Sequence, residues 1–514
     1  MPPFLINDFS GGLNRKYRQN RIADNELSRL RNARFTRVGA LGKRLGTTRN
    51  TVAVGGTDSG SIWGLFAYRL SGMSAEQLLI GDSAGAIIRT TSLGTYTNLV
   101  TGLATTYEPN FAAIGDKVYI TNGSSAVRSV NDANTVATVT GAPASRYLAV
   151  HQGYLFYFND AGAANYSRLQ WSARNNGDSY TSTNFEDISP SDGAWGTGLI
   201  SYGDELVLFK GPFSDNMSYG TGAMYRVLGD TFDASNPTYT VEKIPMPANV
   251  AMVHARSAAI LDGLLIFQTN DGFYAYGGGG RPPVRISEII RDEITDWEAL
   301  AVYAPAVRAA ATVFEGRYIC SLYNSTMEAT SDNNVIYVYD QGKWWVDLLE
   351  DGNDAFTVGA STGTAFVTFG NLLYSGSGGS NVLRRWYTPA AFTDTQDAGA
   401  AGNVNFSALT KEFDFGDDVN FSDAYVHLRR QSSGTLALET NVNQQGVATT
   451  LIDMTAPDAG STESSSSNIL RKRVSIGRRG RTLQFRFYDR GSNDVEIYAV
   501  EVHYAKTGLT RNPG

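Results

Sequence analysis

Residues 201–209 are SYGDELVLF, a tight-turn pair followed by a short apolar run, and the same phrase recurs along the middle of the chain. Gly and Asp tolerate the backbone conformations that a hairpin turn requires, so each copy predicts a turn that leads into a β-strand. The other copies follow at intervals of about 37 to 59 residues, and they are AIGDKVYIT (113–121), VHQGYLFYF (150–158), ILDGLLIFQ (260–268), VFEGRYICSLY (313–323) and TFGNLLYSG (368–376).

Repeats of this length with about four strands each are typical of a β-propeller. An earlier unit is predicted at residues 64–90, so we expect an irregular propeller of six to eight blades over residues 51–390. A set of irregular β-meanders or two sandwiches is the alternative. An Ala/Gly/Asp-rich linker follows at 391–402, and alternating strands with Gly turns predict a C-terminal β-sandwich over 403–514.

Few segments have a helical pattern, so the predicted fold class is all-β with a short N-terminal helical arm. Ile22, Leu27, Leu30 and Phe35 form a rough apolar stripe that predicts a helix over residues 22–35. A second short helix is predicted over residues 287–297.

Positive charge is concentrated near the N-terminus of an otherwise acidic chain. The 514 residues carry a formal net charge of -7, yet the segment from Arg15 to Arg49 contains eleven Lys or Arg residues against two acids. Such asymmetry concerns partners rather than the fold. We therefore expect residues 1–50 to be a basic docking arm, and the candidate docking residues are Arg15, Lys16, Arg18, Arg21, Arg29, Arg31, Arg34, Arg37 and Arg44.

A second basic cluster lies in the predicted sandwich, at RKRVSIGRRGRTLQFRF (471–487). Strand alternation places Arg471 and Arg473 on one face and Lys472 on the other. Such clusters suit the nucleic-acid backbone or an acidic neighbouring subunit, and a solvated basic face is the third interpretation. The candidate subunit or DNA contacts are Arg471, Arg473, Arg478, Arg479 and Arg481.

Motifs for catalysis are missing from the sequence. The four histidines lack metal-ligand spacing, Cys320 is the only cysteine, and neither a G-x-S-x-G elbow nor a P-loop is present. We expect no enzymatic activity, no metal, no cofactor and no small-molecule substrate. The sequence also contains no apolar run of the length that spans a membrane, so no membrane insertion by this chain is expected.

The N-terminal segment also carries a specific motif, a Phe-x-Gly-Gly-x-Asn start followed by an Asn and a Gly-x-Leu-x-x-Arg-x-Gly finish. Its residues here are Phe9, Gly11, Gly12, Asn14, Asn32, Gly39, Leu41, Arg44 and Gly46. Together with LQWSARNNGDSY (169–180), FDFG (413–416) and IYAVEVHYAKTG (497–508), it resembles the tail nozzle proteins of short-tailed bacteriophages, also called tail tubular protein B or packaged-DNA stabilisation proteins. Leu45 stands where that family usually has proline.

The resemblance implies a structural virion protein of the phage tail, assembled in the host cytoplasm. Six copies would form a homohexameric ring below the tail adaptor, with a β-propeller in each subunit and tail fibre or needle proteins nearby. The ring would retain genomic double-stranded DNA and conduct it, without sequence specificity, during ejection. The alternatives are a receptor- or carbohydrate-binding β-propeller of a tail fibre or tip, and a propeller hydrolase.

Overall fold

The structure is a computed structural model that describes residues 3–506 except 37–38, 56–59, 213–221, 231, 233–237, 249, 253, 295–308, 324–332, 350–362, 379, 396–400, 460, 462–463 and 465–466. The N-terminal residues form six short strands. They are β1 (Phe4–Ile6), β2 (Gly12–Leu13), β3 (Glu26–Arg31), β4 (Ala33–Phe35), β5 (Leu41–Lys43) and β6 (Thr48–Arg49).

The middle of the chain is a β-propeller built from antiparallel four-stranded blades, which we number from 1 to 7. Blades 1 to 3 contain β7 (Ile62–Tyr68), β8 (Gln77–Asp82), β9 (Ile87–Thr90) and β10 (Thr97–Val100); β11 (Asn110–Ile114), β12 (Lys117–Thr121), β13 (Arg128–Asn131) and β14 (Val136–Thr138); and β15 (Ser145–His151), β16 (Tyr154–Asp160), β17 (Asn165–Ala173) and β18 (Asn176–Asp187). Blades 4 and 5 contain β19 (Ala194–Tyr202), β20 (Glu205–Pro212), β21 (Ala223–Leu228) and β22 (Thr240–Ile244); and β23 (Ala259–Leu261), β24 (Leu264–Thr269), β25 (Gly272–Tyr276) and β26 (Val284–Arg285).

The last two blades connect the propeller to the rest of the molecule. Blade 6 contains β27 (Ala310–Phe314), β28 (Arg317–Leu322), β29 (Val335–Asp340) and β30 (Lys343–Leu348), while blade 7 contains β31 (Ala365–Phe369), β32 (Leu372–Gly376), β33 (Leu383–Arg385) and the N-terminal β6. Six blades are separate sheets, whereas blade 6 continues into the large C-terminal sheet through a bridge between β30 and β3. The strand β27 contacts β23 and β31, and β31 contacts β7, so the first strands of the blades close a ring.

Each blade has its hairpin turns at defined ends of the ring. In blades 2 to 7 the turn between the first and second strands uses positive φ, as at Asp262 (φ 49) and Gly263 (φ 77), which is the geometry predicted from the recurring phrase. In an antiparallel meander the first and third hairpins lie at one end of the ring, which we call the turn end. The connections between successive blades lie at the other end, which we call the connector end.

Apolar clusters fill the spaces between neighbouring blades. Blades 1 and 2 share the buried Leu79 and Val118, whereas blades 3 and 4 share Phe156, Trp171 and Leu208. Because each blade buries a face only against its neighbour, closure of the ring completes the core. The aromatic side chain of Trp171 donates from Nε1 to the backbone oxygen of Phe232 at 2.5 Å, so its polar atom is also satisfied.

The C-terminal strands form a large sheet together with N-terminal strands. The strands after blade 7 are β34 (Thr393–Thr395), β35 (Ala401–Asn403), β36 (Phe406–Thr410), β37 (Phe413–Arg429), β38 (Thr435–Val442), β39 (Gln445–Asp453), β40 (Ile469–Asp489) and β41 (Glu496–Lys506). Of these, β36 to β41 belong to the large sheet, whereas β34 and β35 form a separate two-stranded sheet. The long β40 pairs with β37 through its first half and with β36 and β38 through its second half. The strand β41 pairs with β37, β1 and β5, so the N-terminal strands β1 and β5 are built into the body of the molecule.

The helix predicted over residues 22–35 is wrong, because this segment contains β3 and β4. Leu27 pairs with Thr410 and Leu30 with Ala408, so the C-terminal strand β36 supplies the partners that decide the local structure. The prediction at 287–297 is confirmed in part, since Glu288–Ile290 form a 3-10 turn and α1 spans Arg291–Ile294. Within the predicted linker, β34 pairs with β35, and residues 396–400 lie outside the described residues.

Candidate functional site

The N-terminal motif places Asn32 and Arg44 at the junction of the propeller and the C-terminal sheet. Asn32 donates from Nδ2 to the Asn405 oxygen at 2.9 Å, and its Oδ1 accepts from Arg44 Nε at 2.8 Å and from the Leu348 amide at 2.7 Å. The Arg44 guanidinium donates to the Leu348 oxygen at 2.6 Å and binds both carboxylate oxygens of Asp394. These two motif residues therefore join blade 6, the segment before β36 and the N-terminal strands.

The charges in this junction are buried. Arg44 is 1% exposed, and its Nε lies 4.0 Å from Asp347 Oδ1, while the Tyr387 hydroxyl donates to Asp347 Oδ2 at 3.1 Å. Burial raises the pKa of the Asp347 carboxyl to about 6, against the opposing effect of Arg44. We call Asn32, Arg44, Asp347 and Asp394 the Arg44 cluster. Because its guanidinium is used inside the chain, Arg44 is not exposed for docking.

The remaining motif residues also have structural roles. Phe9 is buried with its ring 6.4 Å from that of Phe487, and Asn14 donates to Glu26 Oε2 at 2.8 Å. A Cβ on Gly46 would lie 2.0 Å from the Thr393 backbone oxygen. Similar close approaches to backbone atoms, at 2.8 to 3.1 Å, occur at Gly11, Gly12 and Gly39.

Most other cations of the N-terminal segment have partners within the chain. Arg15 lies 3.3 Å from Glu293 and Lys16 lies 3.3 Å from Glu288, both in the connection between blades 5 and 6. Further pairs are Arg31 with Glu293 at 3.8 Å and Arg34 with Asp494 at 3.1 Å. Arg29 is half-buried and takes part in interactions, and Arg37 lies outside the described residues.

Residues 15–21, RKYRQNR, form an exposed loop between β2 and β3 that we call the basic loop. Tyr17 is 53% exposed at its tip. Arg18 and Arg21 are exposed and, among the residues that the structure describes, have no ion pair. The basic loop is thus the part of the predicted docking segment whose cations remain available.

The second basic cluster is neutralised by acids on neighbouring strands. Arg473 pairs with Asp423 at 2.9 Å, and Arg481 pairs with Asp414 at 2.8 Å. Arg471 lies 3.0 Å from Glu501, Arg479 lies 3.5 Å from Asp418, and Arg478 is exposed. Lys472 is buried on the opposite face, which confirms the predicted alternation. Because exposed arginines here face carboxylates, this surface offers little net positive charge.

The axis of the propeller contains a cavity of about 210 Å³. Its walls are the inner strands of several blades, and Arg256 crosses it from the connection between blades 4 and 5. The Arg256 guanidinium donates to the Pro109 oxygen at 2.6 Å and to the Trp63 oxygen, on blades 2 and 1. Arg256 thereby braces opposite sides of the ring, a role that no motif in the sequence indicated.

A larger cleft of about 420 Å³ lies between the N-terminal segment and blade 6. Phe35, Trp345 and Tyr387 line it together with Arg34 and Arg317. Arg317 lies 5.2 Å from the centre of the Tyr387 ring and pairs with Glu315, so the polar groups of the cleft mostly contact one another.

Groups suited to catalysis are scattered. Within the described ranges, no group of three or more His, Cys, Asp or Glu residues is arranged to hold a metal ion, and no helix is long and apolar enough to cross a membrane. Burial raises the pKa of the Cys320 thiol to about 12, so this cysteine stays protonated. His151 Nδ1 lies 2.9 Å from the Ser201 hydroxyl, and burial lowers the pKa of the ring against the opposing effect of Asp204.

Comparisons with known proteins return solved structures of low sequence identity to this chain. No family model matches the chain, and no curated protein matches it. Among solved structures, BamB from Moraxella catarrhalis is 11% identical, with 68% of this chain and 98% of that chain covered and a TM-score of 0.37. The exo-beta-1,3-galactanase of Phanerochaete chrysosporium is 11% identical, with 89% and 100% covered and a TM-score of 0.26. At these values the comparisons assign neither a family nor a function.

Proposed function

We propose that this chain is a subunit of the tail nozzle of a short-tailed bacteriophage. In this role six copies form a ring below the tail adaptor, and the ring retains the packaged double-stranded DNA and then conducts it during ejection. The observation that carries the proposal is the position of the N-terminal motif, on which the resemblance to nozzle proteins mainly rests. Asn32 and Arg44 of that motif hold together a propeller and a C-terminal β-domain, the two parts that the resemblance implies.

The proposed conduit is the space that several subunits enclose, because the axis of one propeller is too narrow. Its cavity of about 210 Å³ is crossed by Arg256, whereas the major groove of a DNA duplex alone is about 12 Å wide. A ring of subunits avoids this limit, since its opening depends on the number of copies and not on the blade count.

The charge distribution suits a wall that DNA slides past. Each phosphate that a protein neutralises adds affinity through the release of counterions, so a conduit must present few free cations. The chain has a formal net charge of -7, and the exposed arginines of β40 lie beside Asp414, Asp418 and Asp423. This surface therefore contributes little phosphate binding.

The experiment that tests the function locates the chain in virions. Purified particles of the phage that encodes it are imaged by cryo-electron microscopy, with an epitope inserted between β39 and β40 and labelled by antibody. We expect six labels around the tail tip, below the adaptor, and particles made without the chain to lose their DNA. Label on fibres together with specific binding on a glycan array would instead favour the receptor- or carbohydrate-binding alternative, and absence from virions would refute both.

A further inference from the structure

We propose that the basic loop binds the turn end of the propeller of a second copy of this chain. The surface it contacts is an acidic arc formed by Asp116, Asp132, Asp204 and Asp262. This inference rests on the proposed ring, and it names the contact that would hold neighbouring subunits together.

Symmetry gives the first argument. A ring of identical subunits with more than two members needs heterologous contacts, in which one surface of a subunit binds a different surface of the next. The two surfaces must be complementary, and they must lie at different places on the subunit. The chain therefore needs two separate patches of opposite character, which the basic loop and the acidic arc supply.

The basic loop is held in a fixed position by both of its neighbours. Its first residues bond to the connection between blades 5 and 6, because the amides of Arg15 and Lys16 donate to the Ile289 oxygen at 2.8 and 3.1 Å. Its middle is fixed to the C-terminal sheet, since Gln19 accepts from the Glu412 amide at 3.1 Å. Ile22 is 2% exposed and anchors the end of the loop. A loop that is already ordered loses little entropy on binding.

The composition of the basic loop suits a protein interface. Tyr17 is 53% exposed, and Arg18 and Arg21, which follow it in the loop, have no ion pair among the described residues. Tyrosine and arginine are enriched among the residues that contribute most to binding energy at protein interfaces.

The acidic arc lies at the opposite end of the propeller from the loop. Asp116, Asp204 and Asp262 occupy the first hairpins of blades 2, 4 and 5, and Asp132 occupies the third hairpin of blade 2, so all four are at the turn end. Each is exposed, and none has an ion pair with Lys or Arg among the residues that the structure describes. The exposed Arg174 lies at the same end, in the third hairpin of blade 3. The basic loop contacts Ile289, which is at the connector end. Head-to-tail contact would thus bring the loop of one copy to the arc of the next.

Carboxylates fit the surroundings of the loop better than phosphates do. Arg15 and Lys16 already lie 3.3 Å from Glu293 and Glu288, and Asp24 pairs with Lys411 at 2.7 Å just beyond the loop. Pairing with these acids leaves two free arginines, too few for the many phosphate contacts on which DNA binding depends, whereas each can bind one carboxylate through two bonds. A protein partner with well-spaced acids is therefore favoured over DNA.

The test uses charge reversal in the full-length chain, with assembly measured by sedimentation velocity at low and high salt. We expect the wild type to self-associate at low salt and to dissociate as salt screens the contact. The loop variant R18E/R21E and the arc variant D116R/D204R/D262R should each associate at least tenfold more weakly. An equimolar mixture of the two variants should recover assembly, because in alternating subunits every reversed loop meets a reversed arc and every native loop meets a native arc.

The control variant R478E/R479E makes the same change in net charge on the C-terminal sheet and should assemble like the wild type. A wild type that stays monomeric at low salt, a mixture that fails to recover assembly, or an equal loss in the control would each overturn the proposal. So would a loss of duplex DNA binding, measured by fluorescence anisotropy, that is specific to R18E/R21E, because the loop would then be a nucleic-acid contact.

Failure of this contact can be told apart from failure of the proposed function. If labelled rings are present in virions and R18E/R21E subunits still enter them, the loop contact is refuted while the nozzle function stands. If the chain is absent from virions but the charge-reversed pair recovers assembly in solution, the function is refuted while the contact stands.

Discussion

Two stretches of this chain are rich in Lys and Arg, and representative cations of the two differ in burial. In the N-terminal stretch, Lys43 and Arg44 are buried with carboxylates from distant parts of the chain, at Asp489 and Asp394. In the C-terminal stretch, Arg473 and Arg481 have side chains that are 61% and 57% exposed beside acids of the adjacent strand. In both stretches the cations pair with acids of the same chain, and the fold decides whether those pairs are buried or exposed.

The two settings also differ in energy. A buried charge that loses its partner is left without either water or a counter-charge, so breaking a buried pair is strongly destabilising. An exposed pair is screened by solvent and salt, and its loss is largely compensated by hydration. Substitutions of the same chemical kind, one at a buried ion pair and one at an exposed ion pair, therefore test whether burial causes the difference.

The largest effect is expected at Arg44. Replacing Arg44 with Ala removes the bonds to Asp394, Asn32 and the Leu348 oxygen, and it leaves the Asp394 carboxylate buried without its counter-charge. We expect a loss of about 3–5 kcal/mol in the free energy of unfolding, measured by urea denaturation. A loss below about 1 kcal/mol, within the range of exposed pairs, would mean that the junction does not depend on this cluster.

The next effect is a dependence of stability on pH that comes from Asp347. Burial raises the pKa of this carboxyl to about 6 in the folded chain, above its ordinary value of 3.8. The folded state then holds the proton more tightly than the unfolded state does, so this group's contribution is fully present below pH 3.8 and is lost as pH rises through 6.

Asp347→Asn removes that titration and serves as the measurement. Between pH 4 and pH 7, the free energy of unfolding of Asp347→Asn should rise relative to that of the wild type, by up to about 3 kcal/mol. The comparison is made by urea denaturation at several pH values. A difference that stays constant with pH would show that Arg44 keeps Asp347 ionised throughout.

A smaller effect is expected at Gly46, which packs against the backbone of β34. A Cβ at this position would lie 2.0 Å from the Thr393 oxygen, so Gly46→Ala forces the segment around β34 to shift. We expect a loss of about 1–3 kcal/mol in the free energy of unfolding. The matched control is Gly446→Ala, because its nearest heavy atom would be 3.6 Å away and the site is exposed. Equal effects would exclude the steric explanation.

The propeller could be predicted because its determinants are local. A turn such as Asp262-Gly263 followed by an apolar run specifies a hairpin within a few residues, and the repeat of that hairpin predicts a ring of blades. The exact arrangement at blade 7 could not be predicted in this way. Its fourth strand is Thr48–Arg49, more than 300 residues earlier in the chain, and nothing local marks that strand as a partner of β33.

The N-terminal segment was mispredicted for the same physical reason. Leu27 and Leu30 fit a helical stripe, but β36 pairs with this segment and imposes an extended backbone. The partners of Arg44 were equally hidden, since Asp394 lies in the predicted linker. One signal was available at Asp347, an acid inside the apolar strand KWWVDL, because a carboxylate in a buried strand needs a cation nearby.

The smallest effect is expected at Arg481, which completes the comparison. Arg481 donates to Asp414 at 2.8 and 2.9 Å, and this bonding holds the pKa of the Asp414 carboxyl below its usual range. A carboxyl whose pKa is lower in the folded chain stabilises that chain at pH values above the pKa of the unfolded chain, and this stabilisation is lost as pH falls. Any effect of Arg481→Ala should therefore appear near neutral pH and vanish in acid.

Because the pair is exposed, we expect Arg481→Ala to leave the denaturation midpoint nearly unchanged at neutral pH, and less changed still in high salt. The same urea titration that is used for Arg44→Ala provides the measurement. Should Arg481→Ala destabilise the chain as strongly as Arg44→Ala does, burial would not be what separates the two basic stretches. The ion pairs of β37 and β40 would then have to act as a cooperative network, in which each pair depends on its neighbours along the strands.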